Sequence, residues 1–287
     1  MPTELTDELR FYLLHRRRAE NHIVHAFRSF RQYGIEPILI KGWAAGRNYP
    51  PDIPRFFGDI DLAVAEADFA RARALIDDAE LKIGGIDLHR ELRHLDTVPW
   101  DQLLANSELA DLDDIQIRIL SPEDHLRVIC VHWLNNGGED RQRLWDVVYA
   151  VRNRPESFDW TKCLDVVSAT RRRWTVVTIG LAHKYLGLEI DDLPFADEAR
   201  HLPAWLTECL EKEWEFGIDM RALESQLRYP RSFWRQLRKR IPPNPIQATI
   251  DCEGSFDSRT RYGYQLRNFL RRLTPSMRRI AGAAFEK

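Results

Sequence analysis

The feature that most constrains this chain is the pair of carboxylates in Asp59-Ile60-Asp61-Leu62-Ala63-Val64. Side chains alternate along a strand, so Asp59 and Asp61 are predicted to share one face while Ile60 and Leu62 enter the core. Two carboxylates placed so closely repel, and the arrangement is costly unless a divalent cation lies between them. By that argument, replacing either acid by Asn should leave the fold intact or slightly more stable. Upstream, the apolar run Ile38-Leu39-Ile40 stops at Lys41-Gly42, the pattern of a buried strand ending in a tight turn. The small residues between Trp43 and Arg47 are expected to open a helix whose free N–H groups face the strand end, a place that favours phosphate. A loop with Pro50, Pro51 and Pro54 then leads into the acidic strand.

Around this stretch the chain reads as α+β. Residues 4–33 carry apolar positions at helical spacing and are predicted to form one long helix or two, ending at Gly34. Ala67 to Ala79 reads as a helix, Leu81 to Leu88 as a strand, Asp101 to Leu109 as a short helix and Ile115 to Leu120 as a half-buried strand. Ser121-Pro122-Glu123-Asp124 has the cap, proline and acids of a helix start, and that helix should run to Leu134 and stop at Asn135-Asn136-Gly137-Gly138. A second helix near Glu139 completes a hairpin. Beyond Phe158 the pattern is helical: Trp160 to Val167, Trp174 to Leu186, Pro203 to Phe216, Ile218 to Leu237 and Tyr262 to Leu273. Pro242-Pro243-Asn244-Pro245 interrupts it. The predicted organisation is a helical segment over 1–34, a core over 35–120 and a helical domain over 121–287 with a basic end.

No apolar run is long enough for a membrane span, and the opening MPTELTDELR has no signal-peptide character, so a cytoplasmic protein without a membrane partner is expected. Cys130, Cys163, Cys209 and Cys252 are scattered, which suggests free thiols. The net charge of −2 conceals an uneven distribution: 15 Lys or Arg stand against 5 Asp or Glu from Arg221 onward. That end is expected to fold back on the acidic remainder of the chain, with nucleic acid the less favoured partner.

The strand, the Lys-Gly turn and the Asp-x-Asp strand together resemble the nucleotidyltransferase superfamily that includes DNA polymerase beta. The closer likeness is to its uncharacterised bacterial members, on Lys41, Gly42, Arg55, Asp59 and Asp61. Ile86-Asp87-Leu88-His89 is similar to the strand bearing that family's third carboxylate. His132 with Arg143, Leu144 and Asp146 is similar to its helical segment. The resemblance covers roughly residues 35 to 150. It implies a mixed-sheet fold and two Mg2+ (or Mn2+) ions held by Asp59, Asp61 and Asp87, the last also able to take the acceptor proton. It implies phosphate contacts from Lys41, the Gly42 and Trp43 N–H groups and Arg55. His89 is either a site residue or a packed histidine with a backbone partner, and His132, Arg143 and Asp146 either line the pocket or form a buried ion pair that ties two helices together. The wider superfamily carries Ser where this chain has Trp43, so either Lys41 replaces that contact or triphosphate binding is impaired.

The activity so implied moves a nucleoside monophosphate, or a larger phosphate fragment, from a nucleoside triphosphate such as ATP. The acceptor would be a hydroxyl or phosphate on a small molecule, peptide or protein. A sugar-nucleotide glycosyltransferase and a degenerate nucleotide- or partner-binding protein are the competing readings.

Overall fold

The structure, a computed structural model, describes residues 7–78, 85–217, 223–226 and 229–285. Contacts divide the chain into two units, Met1–Ile129 with Asp146–Val167, and Cys130–Trp145 with Ser168–Lys287. The fold is α+β, a mixed five-stranded sheet with helices and a mainly helical C-terminal part, as the sequence predicts.

The first unit opens with α1 (Asp7–Gln32), ended by Gly34 at φ +71°. There follow β1 (Ile38–Leu39), α2 (Trp43–Gly46), β2 (Ile60–Val64), α3 (Phe69–Asp77), β3 (Ile86–Arg90), α4 (Trp100–Asn106), β4 (Glu108–Leu112), β5 (Ile115–Ile119) and α5 (Pro122–Asn135). α6 (Leu144–Arg152) and α7 (Trp160–Leu164) come next in the chain; α5 from Cys130 and the first two residues of α6 fall in the second unit. The strands lie in the order β3-β2-β1-β5-β4. β1 runs antiparallel to β2 and parallel to β5, β2 is parallel to β3, and β4 is antiparallel to β5.

Alternation along the strands sorts the side chains between two faces. Leu39, Ile60, Leu62, Val64, Leu88, Ile117 and Ile119 join Ile23, Phe27 and Phe30 of α1 and Ala72 of α3 in one apolar cluster. The other face carries Asp61, Asp87 and His89, with Ile38, Ile40 and Ala63 also buried. Arg127 of α5 is buried among Asp96 at 2.9 Å, Asp124, and the carbonyls of Lys162 and Cys163 at 3.0 and 3.2 Å. It ties α5, α7 and the loop before α4 into one body.

Three expectations change. Glu108 and Leu109 belong to β4, not to the end of a helix over Asp101 to Leu109; the turn at Asp113-Asp114, with Asp113 at φ +54°, closes a two-residue hairpin without the glycine that usually announces one. Over Ile218 to Leu237 the helix is instead α11 (Pro230–Arg240), because Pro230 fits a first turn and not a helix interior. Residues 218–222 and 227–228, like residues 81–84 of the expected strand, lie outside the described residues. The proline-rich break is followed by a further helix, α12 (Pro245–Asp251), capped by Asn244 Oδ1 accepting from Ile246 and Gln247 N–H.

In the second unit α8 (Ala169–Leu186) starts earlier than the apolar spacing implies, because Ser168 caps it by accepting from the Arg171 N–H. α9 (Ala196–Arg200), α10 (Ala204–Phe216) and α13 (Tyr262–Phe285) complete the order. Indole N–H groups fix this unit's core: Trp174 donates to the Gly254 carbonyl and Trp205 to that of Phe256, both at 3.0 Å. The four cysteines are free. Among the described residues no helix is long and apolar enough to cross a membrane.

Candidate functional site

The parallel register of β2 and β3 sets Asp61 directly opposite Asp87, with His89 one pleat further on, opposite Ala63. Asp61 is 2% exposed, whereas the Asp87 side chain is 52% exposed, so the site opens at Asp87 and closes at Asp61. His89 Nε2 lies 3.1 Å from Asp61 Oδ1 and 3.3 Å from Asp87 Oδ2. One ligand atom from each of the three residues falls within 4.8 Å of the others. Two ligands at right angles, each about 2.1 Å from a cation, stand about 3.0 Å apart, so the observed spacings suit neighbouring corners of one coordination shell. The donor set of two carboxylates and an imidazole fits Mn2+ at least as well as Mg2+.

Lys41, at the end of the apolar run of β1, places Nζ 2.6 Å from the same Asp61 oxygen that faces His89. Burial by itself would raise the Asp61 carboxyl, but the hydrogen bond with His89 and the Lys41 charge outweigh it and hold the group below the usual carboxylate range. Lys41 therefore offsets part of the charge of this buried carboxylate. Asp59 sits on an exposed bend just before β2 and is outside the three-residue cluster; the strand begins one residue too late to set it on the pleat beside Asp61.

Gly42 takes φ +65° and ψ −108°, a conformation open in practice to glycine alone, and its Cα faces the Phe57 ring. Gly42→Ala is expected to lose about 2 kcal/mol through backbone strain, read as a fall in urea midpoint; an unchanged midpoint would refute the need for glycine. Trp43 starts the one-turn α2, but its indole is buried and donates to Glu20 Oε1 at 3.1 Å, so only its main chain can face a ligand. A single turn also carries little of the dipole that a long helix offers an anion.

Arg55 is buried and meets Asp146 in a two-pronged pair, Nε to Oδ1 at 2.9 Å and Nη2 to Oδ2 at 2.6 Å, while Nη1 donates to the Phe56 carbonyl at 2.9 Å. Tyr49 completes the set, donating to Asp146 Oδ1 at 2.7 Å. The fork expected to grip phosphate thus holds a carboxylate of α6. His132 lies 3.2 Å from Asn136 Nδ2, and Arg143 pairs with Asp140 at 3.5 Å, both in the second unit, whereas Asp146 bonds within the first.

His125 was not anticipated. It is buried on α5, its Nε2 has no partner among the described residues, and it lies in the field of Asp146, Arg55 and Arg47. Burial pushes its pKa down, Asp146 draws it partly back, and the two arginines lower it again, to about 4. The folded state therefore keeps His125 neutral where the unfolded chain binds a proton, so its contribution is complete above the ordinary value of 6.5 and is lost as pH falls toward 4. The loss is about 3 kcal/mol. His125→Gln is expected to flatten the pH dependence of urea stability over that range by this amount; an identical slope in both proteins would contradict it. No signal in the sequence marks Tyr49, whose partner Asp146 lies 97 positions on, or His125, which the long-range fold alone places near Asp146 and Arg55.

Residues 1–85 match the sequence model of a family described as uncharacterised nucleotidyltransferase, which supports a nucleotidyltransferase assignment. No curated protein and no solved structure matches the chain.

Proposed function

We propose, from that nucleotidyltransferase match and from the cluster on β2 and β3, that the protein is a metal-dependent transferase of nucleoside monophosphate groups. The observation that carries the reading is the convergence of Asp61, Asp87 and His89 within 4.8 Å, beside a lysine at the strand end. A divalent cation bound there supplies charge to the triphosphate and acidifies the attacking hydroxyl. The chain's own residues do the rest. The acceptor oxygen bonds to the α phosphorus, the bond to the β-phosphate oxygen breaks, and pyrophosphate leaves with the electron pair. Asp87, half exposed beside Asp61, takes the acceptor proton. Lys41 meets the leaving phosphates as a point charge. Asp59 adds a carboxylate at the rim, and Arg55 holds the loop between α2 and β2 to Asp146. The acceptor is a small molecule, peptide or protein carrying a hydroxyl or phosphate.

The test incubates the protein with each of the four nucleoside triphosphates labelled at the α phosphate, with Mn2+ or Mg2+, and a fractionated cell extract. Transfer of α label with release of pyrophosphate is expected, and Asp61→Asn abolishes it. Transfer from a parallel set labelled at the γ phosphate but not from the α-labelled set, or no transfer from any of the four, overturns the reading.

A further inference from the structure

The cations of α11, with Arg272 of α13, divide by whether they have a partner. Lys239 pairs with Glu213 at 2.6 Å and Glu139 at 3.3 Å, Arg240 donates to the Gln236 carbonyl at 2.9 Å, and Arg272 pairs with Asp251 at 2.6 Å. Lys239 thus meets acids of the preceding chain, whereas Arg240 and Arg272 bond within the C-terminal segment itself. Arg231, Arg235 and Arg238 differ: all three are exposed, and none has a hydrogen bond or ion pair among the described residues.

Helical spacing explains the separation. Residues 231, 234, 235 and 238 fall within about 100° of one another around α11, so the three arginines share a stripe with Trp234, which is 60% exposed. Gln236, a third of a turn away, is buried. The same four residues line an open groove of about 740 Å³. Like charges three and four positions apart repel and weaken the helix, and a large exposed indole gains nothing from water. A helix face with both features is unfavourable until an anionic, aromatic partner covers it.

We propose that this face of α11 binds single-stranded nucleic acid, the arginines meeting successive phosphates and the Trp234 ring stacking on a base. A membrane surface fits less well, because insertion needs a broad apolar stripe and this one has a single apolar residue. An acidic peptide would satisfy the arginines and leave the indole unused. The proposal is independent of the transferase reading, since it concerns the second unit alone.

The experiment is a fluorescence anisotropy titration of the full chain against a labelled single strand of about 20 nucleotides, as RNA and as DNA, with the matching duplex and anionic phosphatidylserine vesicles as competitors. Three phosphate contacts give a log–log salt slope near −2, so a fourfold rise in salt weakens binding about 20-fold. R231Q/R235Q/R238Q is expected to bring the slope near zero while keeping the wild-type melting temperature or raising it slightly, as the repulsion is relieved. Trp234→Ala is expected to weaken single-strand binding about tenfold and leave the slope unchanged. Salt-insensitive or absent binding by the wild type, a triple variant that binds like it, or displacement of the strand by vesicles but not by unlabelled strand would overturn the proposal.

Discussion

Asp61→Asn is expected to abolish transfer and to destabilise the protein at the same time. The carboxylate is 2% exposed and its neighbour Lys41 only 11%, so the substitution leaves a buried ammonium without its anion. Breaking a buried pair from one side costs about 3 kcal/mol. This reverses the sign expected from two repelling acids, because Lys41 lies against Asp61 while Asp59 stands off on the bend. Activity should fall at least about a thousandfold, as loss of a ligand forfeits several kcal/mol of charge stabilisation. Asp59→Asn gives the contrast: an exposed side chain should change stability by less than about 0.5 kcal/mol. Urea unfolding and α-label transfer of both variants check this. Equal stability in Asp61→Asn and wild type would mean that Lys41 does not depend on Asp61.

Asp146→Ala is expected to lose about 4 kcal/mol of stability, since it strands the Arg55 guanidinium in a buried place. Both side chains are under a tenth exposed, and the geometry uses two parallel N–H···O contacts. Replacing the pair together, as Arg55→Met with Asp146→Leu, should recover most of the loss because no uncompensated charge remains. Nucleotide affinity separates this structural role from a phosphate clamp. If Arg55→Met alone weakens triphosphate binding but leaves the unfolding midpoint unchanged, the arginine serves the ligand and the pair with Asp146 is incidental.

Local patterns carried much of the fold into view. Ile38-Leu39-Ile40 is an unbroken apolar run that is buried throughout, Ile115 to Ile119 alternates toward one buried face, and Ser121-Pro122 marks a helix start by its own chemistry. What escaped notice depends on residues distant in sequence. Asp146 is 91 positions from Arg55 and 97 from Tyr49, and no periodicity links them. β4 escaped because Asp113-Asp114 closes its hairpin in place of Asn-Gly. The pairing of Lys41 with Asp61 crosses from the end of β1 to β2 and becomes visible only once the two strands are laid antiparallel.

That sheet order also governs how the chain can be divided. β1 lies at the centre, yet its parallel neighbour is β5, reached only after β2, β3 and β4 have gone by in sequence. A fragment trimmed to residues 1–85 would stop just short of the strand that carries Asp87 and would leave β1 with one unpaired edge. Bare strand edges recruit other chains. The segment that carries the family likeness is thus an incomplete folding unit: during synthesis its central strand stays an open template until Ile119 arrives to close it.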